Sequence, residues 1–245
     1  MKKILEVVKL RKEYKDFVLD NVSFSIEPKS IVGFIGTNGS GKSTTIKSIL
    51  GLIHSKSEKI DYFGKPFFSN EKSIKNRLGI VLDEGYFYET LTIDQMKSIV
   101  APVYDNWEEK VFYGLIDKFG LKRKQKISTL SKGMKMKFSI ALALAHHAEL
   151  IIMDEPTSGL DPLVRSELMD LLKEVVVTEE CSILFSTHII SDLEKVADKV
   201  IFIDKGKIVF EKKKSDLIND YVKILNNDNP GIEDIMLHHV KGGLE

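Results

Sequence analysis

The feature that most constrains this chain is a glycine-rich run set between an apolar stretch and a helical pattern. Ile31–Ile35 is continuously apolar, short and rich in branched residues, which favours a buried strand. It passes directly into Gly36-Thr37-Asn38-Gly39-Ser40-Gly41-Lys42-Ser43. Over residues 43–52, Ile46, Ile49 and Leu50 then recur at helical spacing, and Gly51 marks the end. A buried strand that turns at once into a helix is the first half of a βα unit, and such units build parallel sheets.

The remainder of the chain extends this pattern. Residues 4–10 and Val18–Ile26 read as strands, the second with Val22, Phe24 and Ile26 alternating. Between residues 92 and 147 the period changes: Ile93, Met96, Val100 and Val103, then Val111, Leu115, Ile116 and Phe119, recur every three to four positions, which predicts helices. Leu150–Met153 and residues 182–185 and 199–203 are short β-rich runs alternating with helical segments such as residues 163–177. The expected architecture is α/β with a mostly parallel sheet and an inserted helical block. After Lys214 the chain turns polar, residues 226–231 read as a linker, and residues 232–240 as a short amphipathic helix.

Composition narrows the functional classes. With 36 basic and 36 acidic residues the net charge is zero, so no nucleic-acid partner is expected. The basic runs at residues 122–126 and 212–214 are expected to be solvated loops. No stretch reaches the length of apolar sequence that a spanning helix needs, and the first residues lack the apolar region of a secretory signal. Cys181, alone and ahead of an apolar run, is expected to be a buried strand thiol.

Residues 36–43 match the P-loop pattern in the strand-to-helix setting that the pattern requires. Its glycines let backbone N–H groups turn around phosphate oxygens, the helix end adds positive charge, Lys42 reaches the terminal phosphates and Ser43 holds Mg²⁺. Leu150–Met153 ends in Asp154 and Glu155, the first placed to hold Mg²⁺ and the second to orient or deprotonate a water. Ser131-Lys132-Gly133-Met134 opens a helical run; alone it reads as an ordinary serine N-cap, and only in combination with the other motifs as an anion contact.

In this combination and order, residues 4–215 resemble an ABC-type ATPase. The resemblance implies a RecA-like P-loop NTPase core, an antiparallel β-subdomain at the N-terminus and an inserted α-helical subdomain at about residues 86–148. The ATPase domain would span residues 1–220, with residues 221–245 a C-terminal linker and helix. It assigns Thr44 with residues 36–43 to the phosphates, Tyr14 to adenine stacking, Ser131 and Gly133 to the signature segment, Asp161 to the loop after Glu155 and His188 to the switch position. Glu155 and His188 are thus the candidate catalytic pair.

The resemblance further implies ATP and Mg²⁺ as cofactors and head-to-tail dimers, with a like or a different ATPase subunit. A separate integral membrane subunit would hold this chain at the cytoplasmic face of the cell membrane. Two segments depart from the family pattern. After residues 78–82, Asp83 and Glu84 stand where most members carry glutamine, so Asp83 is the candidate metal or water contact, and Lys132 and Met134 replace two signature residues. These features resemble ABC-2 type exporters of the peptide-antibiotic and amphipathic-peptide-toxin kind, which favours export. The alternative is a soluble ABC ATPase acting on a non-transport partner such as an iron–sulfur assembly scaffold.

Overall fold

A computed structural model describes residues 3–82, 87–228 and 230–241. Its elements, in chain order, begin with strands β1 (Leu5–Glu13), β2 (Val18–Ile26) and β3 (Ile31–Ile35), then helix α1 (Lys42–Ile49). Next come β4 (Lys59–Tyr62), β5 (Lys65–Pro66), α2 (Glu71–Lys75), β6 (Leu78–Val81), α3 (Ile93–Val100), α4 (Glu109–Lys118) and α5 (Lys132–Ala145). The C-terminal part comprises β7 (Leu150–Met153), α6 (Pro162–Thr178), β8 (Ser182–Thr187), α7 (Ile190–Val196), β9 (Lys199–Asp204), β10 (Lys207–Lys213), α8 (Lys214–Leu225) and α9 (Ile232–Lys241).

The strands form an antiparallel sheet ordered β2-β1-β4-β5 and a larger one ordered β10-β9-β3-β8-β7-β6. In the larger sheet only the β9–β10 pair is antiparallel. Its central strands β3, β7 and β8 are buried on both faces because both are covered, whereas the edge strand β10 is mostly half-buried or exposed. Ile31 and Ile35 of β3, with Ile183 and Phe185 of β8, pack towards α5, α6 and α7. The alternate residues Val32, Phe34 and Leu184 share a second core with the antiparallel sheet and α1. Period-two alternation thus assigns each strand residue to one of two cores.

Helix α5 is buried on two sides. Met136, Ile140 and Ala143 join the sheet core, while Phe138, Ala141 and Ala145 meet Ile93, Phe112 and Ile116 in a third cluster that unites α3, α4 and α5. Thr92 and Gln95 form a reciprocal capping box at the start of α3. Gln95 therefore serves its own helix.

One local expectation is corrected. Residues 212–214 are not a solvated loop: Lys212 and Lys213 pair with Val200 and Lys199 across β9–β10, and Lys214 opens α8. Polar sequence after Lys214 is helical because Leu217 and Tyr221, one turn apart, are buried in the sheet core. Helix α8 continues through residue 220, and α9 docks back through Ile232, Ile235 and Met236. Cys181 is buried just ahead of β8, and burial pushes its thiol up to about 12. Among the described residues no helix is long and apolar enough to cross a membrane.

Candidate functional site

Parallel strands deliver the loops at their C-terminal ends to one edge of the sheet. Here Ile35 pairs with Thr187 and Met153 with Phe185, so the segments after β3, β7 and β8 emerge side by side. That register brings together residues 36–43, Asp154 with Glu155, and His188.

Gly41 is the N-cap of α1 at φ 113, a left-handed value that strains any side chain, and a Cβ there would stand 2.9 Å from Leu19 Cδ1. Helix α1 has no side-chain cap and no acid in its first turn, so none of its own side chains offsets the positive helix end. Lys42 is buried, and its Nζ donates to Gly36 O at 2.8 Å and Thr37 O at 3.2 Å. The same ammonium lies 3.2 Å from Glu155 Oε1. Ser40 is also buried; its N–H bonds to Thr37 O, and its carbonyl accepts Gly206 N–H, which braces the loop against the β9–β10 turn.

Asp154 is buried at the end of β7, and two hydroxyls donate to its Oδ1: Ser43 Oγ at 3.1 Å and Ser186 Oγ at 2.6 Å. Ser186 Oγ in turn accepts the Glu155 N–H at 2.9 Å. Glu155 itself sits at φ 49, a conformation that costs a non-glycine residue about 1–2 kcal/mol and persists only where its surroundings hold it. This turn aims its carboxylate between Lys42 and His188, whose Nδ1 is 2.8 Å from Glu155 Oε2.

These groups open on a cavity of about 650 Å³ lined by Asn38, Gly39, Gly41, Lys42, Ser43, Thr44, Glu155, Ser158 and His188. Tyr14, Asp16 and Phe17, from the β1–β2 connection, complete the wall. Tyr14 N–H bonds to Phe17 O at 2.8 Å and the two rings are 6.5 Å apart, which makes an aromatic lip beside the P-loop. Phe17, Asp16 and Ser158 escaped the sequence reading because each is an ordinary loop residue until the sheets pack. The bridging role of Ser186 escaped it too; the available signal was a hydroxyl within an otherwise apolar strand.

Among the described residues, seven expected site residues do not line the cavity: Gly36, Thr37, Ser40 and Asp154, which sit in or against the phosphate loop, and Ser131, Gly133 and Asp161, which serve α5 and α6. Ser131 is the N-cap of α5, its Oγ accepting Met134 N–H at 3.3 Å. Gly133 packs α5 against α6, where a Cβ would stand 2.5 Å from Val164 Cγ1. Asp161 caps α6, its Oδ1 accepting the N–H groups of Leu163 and Val164 at 3.1 Å each. Lys132 is exposed, its ammonium 3.7 Å from where a Cβ on Gly159 would be. Asp83 lies outside the described residues.

Residues 19–158 match the family described as ABC transporter. Among curated relatives, the bacitracin transport ATP-binding protein BcrA of Bacillus licheniformis is 35% identical over 86% of this chain and 70% of its own length. The lantibiotic transport ATP-binding protein SrtF of Streptococcus pyogenes is 34% identical over 86% of this chain and 91% of its own. A solved structure of an ATP binding subunit of an ABC transporter superposes with TM-score 0.83 at 27% identity, covering 96% of this chain and 98% of that one. The cbiO1 protein of Clostridium perfringens, part of the ABC transporter complex cbiONQ, gives 0.74 at 25% identity, covering 92% and 97%.

Proposed function

This chain belongs to the ABC transporter family as an ATP-binding subunit, and we propose that it hydrolyses ATP in the cavity between Lys42 and Glu155 to drive export through a separate membrane subunit. The observation that carries the reading is the position of Glu155, whose two carboxylate oxygens lie 3.2 Å from Lys42 Nζ and 2.8 Å from His188 Nδ1. A base at that point is within reach of a water beside a terminal phosphate gripped by Lys42. Positioning by the P-loop amides, and charge stabilisation by Lys42 and the α1 helix end, supply the rest. The aromatic lip of Tyr14 and Phe17 offers a stacking surface at the adenine end of the cavity.

The donor set fits Mg²⁺. That ion takes one or two protein oxygens and fills its shell with phosphate and water, and Ser43 Oγ with Asp154 Oδ1, 3.1 Å apart, provides such a pair. Among the described residues no larger cluster of metal-binding side chains is present. When bound, the ion would neutralise charge on the phosphates. Asp154 keeps the Ser43 hydroxyl turned towards it, while Ser186 fixes the carboxylate from behind.

Ser131 and Gly133 reach a nucleotide through a second subunit packed head to tail, so that ATP joins the two. Relatives named for bacitracin and lantibiotic transport support an antimicrobial or amphipathic peptide as the cargo and a place at the cytoplasmic membrane face. Glu155→Gln tests the reading. ATP binding and ATP-dependent dimerisation should persist while turnover falls about 100-fold or more. Normal turnover, or a variant that stays monomeric at saturating ATP, would overturn it.

A further inference from the structure

The turn that carries Glu155 is anchored at a second place, away from the nucleotide cavity. Thr157 follows Glu155 by two residues and is fully buried, and its hydroxyl donates to Asp192 Oδ2 at 2.5 Å. Asp192, on α7, is itself 2% exposed. Helix α7, which carries Asp192, begins two residues after His188. Arg165, in the first turn of α6, faces it electrostatically, and the Arg165 Nε is buried without a hydrogen-bond partner among the described residues. Arg165 N–H bonds to the carbonyl of Asp161, the cap of that helix.

A buried carboxylate is retained only where hydrogen bonds and opposite charge compensate its lost hydration, so each of these contacts is structurally constrained. We propose that Asp192 is a positioning residue for the hydrolytic pair: through Thr157 it fastens the turn that carries Glu155 to α7, the helix that starts two residues after His188. This inference rests on the hydrolysis proposed above. The geometry gives the reason. Glu155 is held in a left-handed turn, with Ser186 gripping its N–H on one side and Thr157 fastened to α7 on the other. With only one grip, the turn relaxes and moves the carboxylate relative to His188. A displacement near 1 Å in a catalytic group costs about 100-fold in rate.

Asp192 does not line the cavity, so its loss should act on the chemical step and not on nucleotide binding. In the full-length chain, Thr157→Val removes only the hydroxyl at nearly constant volume, and Asp192→Asn removes only the charge. Each should lower kcat for ATP hydrolysis about 10- to 100-fold, with KM and fluorescent-ATP affinity within about threefold of the parent. The double variant should be no slower than the slower single, and Thr157→Ser should restore the parent rate. Parent-like kcat in both singles, or effects that multiply in the double, would overturn the proposal, and so would a fall in melting temperature without a fall in kcat. If Asp192→Asn does not fold, Thr157→Val and Thr157→Ser decide the question alone. A parent without ATP turnover would instead remove the functional reading on which the inference stands.

Discussion

Three helix N-termini gather the residues that the sequence singles out, and they are built differently. Helix α1 begins at a glycine with no side-chain cap and presents its positive end at the cavity. Helix α5 begins at Ser131 and α6 at Asp161, each of which bonds its own first-turn amides. The first end is therefore left open to an anion, because no side-chain cap of its own competes for those N–H groups. The other two first stabilise their helices. The Ser131 bond, at 3.3 Å, is long and would be given up at small cost; Asp161 holds two amides at 3.1 Å and is the firmer cap.

The strongest way to break this contrast is Lys42→Ala. It removes the charge that serves the α1 end, and ATP affinity should fall about 100-fold, as followed by fluorescent-nucleotide titration. Unchanged affinity would mean that the α1 end is not the anchor. Ser131→Ala comes next: turnover should drop about tenfold with ATP affinity of the isolated chain unchanged, while stability changes by only about 0.5 kcal/mol. A large loss of stability with normal turnover would make Ser131 a cap and nothing more.

Asp161→Ala should cost about 1 kcal/mol in denaturant unfolding, and Asp161→Asn should recover most of it, since asparagine caps comparably. If both variants are neutral, the α6 end is not stabilised as described. A pH-dependent effect concerns the opposite end of α5, where His146 is the C-cap and stacks on Tyr104. Burial holds His146 down to about 4 from its ordinary 6.5, so the unfolded chain takes up a proton first as pH falls. Its contribution to stability is therefore complete above about 6.5 and is lost as pH falls towards about 4. Unfolding midpoints across that range should slope downward with acid, and His146→Phe should flatten part of the slope.

The legible parts of the fold were those with strong local signals. β3, with its glycine-rich exit, and β7, with its acidic end, could be read because apolar runs of that length are strands buried on both faces. β4 could not. Lys59–Tyr62 is a brief stretch among charged residues and becomes a strand by pairing with β1, Leu5 opposite Tyr62 and Val7 opposite Ile60. α8 was missed because only Leu217 and Tyr221 mark its buried face. In the site, the contiguous phosphate loop was legible as a unit. Phe17, Ser158 and Asp192 were not, since each gains a role only from residues far away in sequence.

The sequence by itself determined the phosphate cradle and the family, because a turn, a helix end and a lysine within eight consecutive positions need no distant partner to be recognisable. Tertiary structure decided how the side chains around the cavity are aimed. Ser43 meets Asp154, Glu155 meets His188 and Thr157 meets Asp192 across long stretches of chain. The parallel register of β3, β8 and β7 sets the first two distances, and the packing of α7 sets the third. Local propensity cannot encode them, because a one-residue slip in any of those strands would leave every local pattern intact and turn the side chains to the other face.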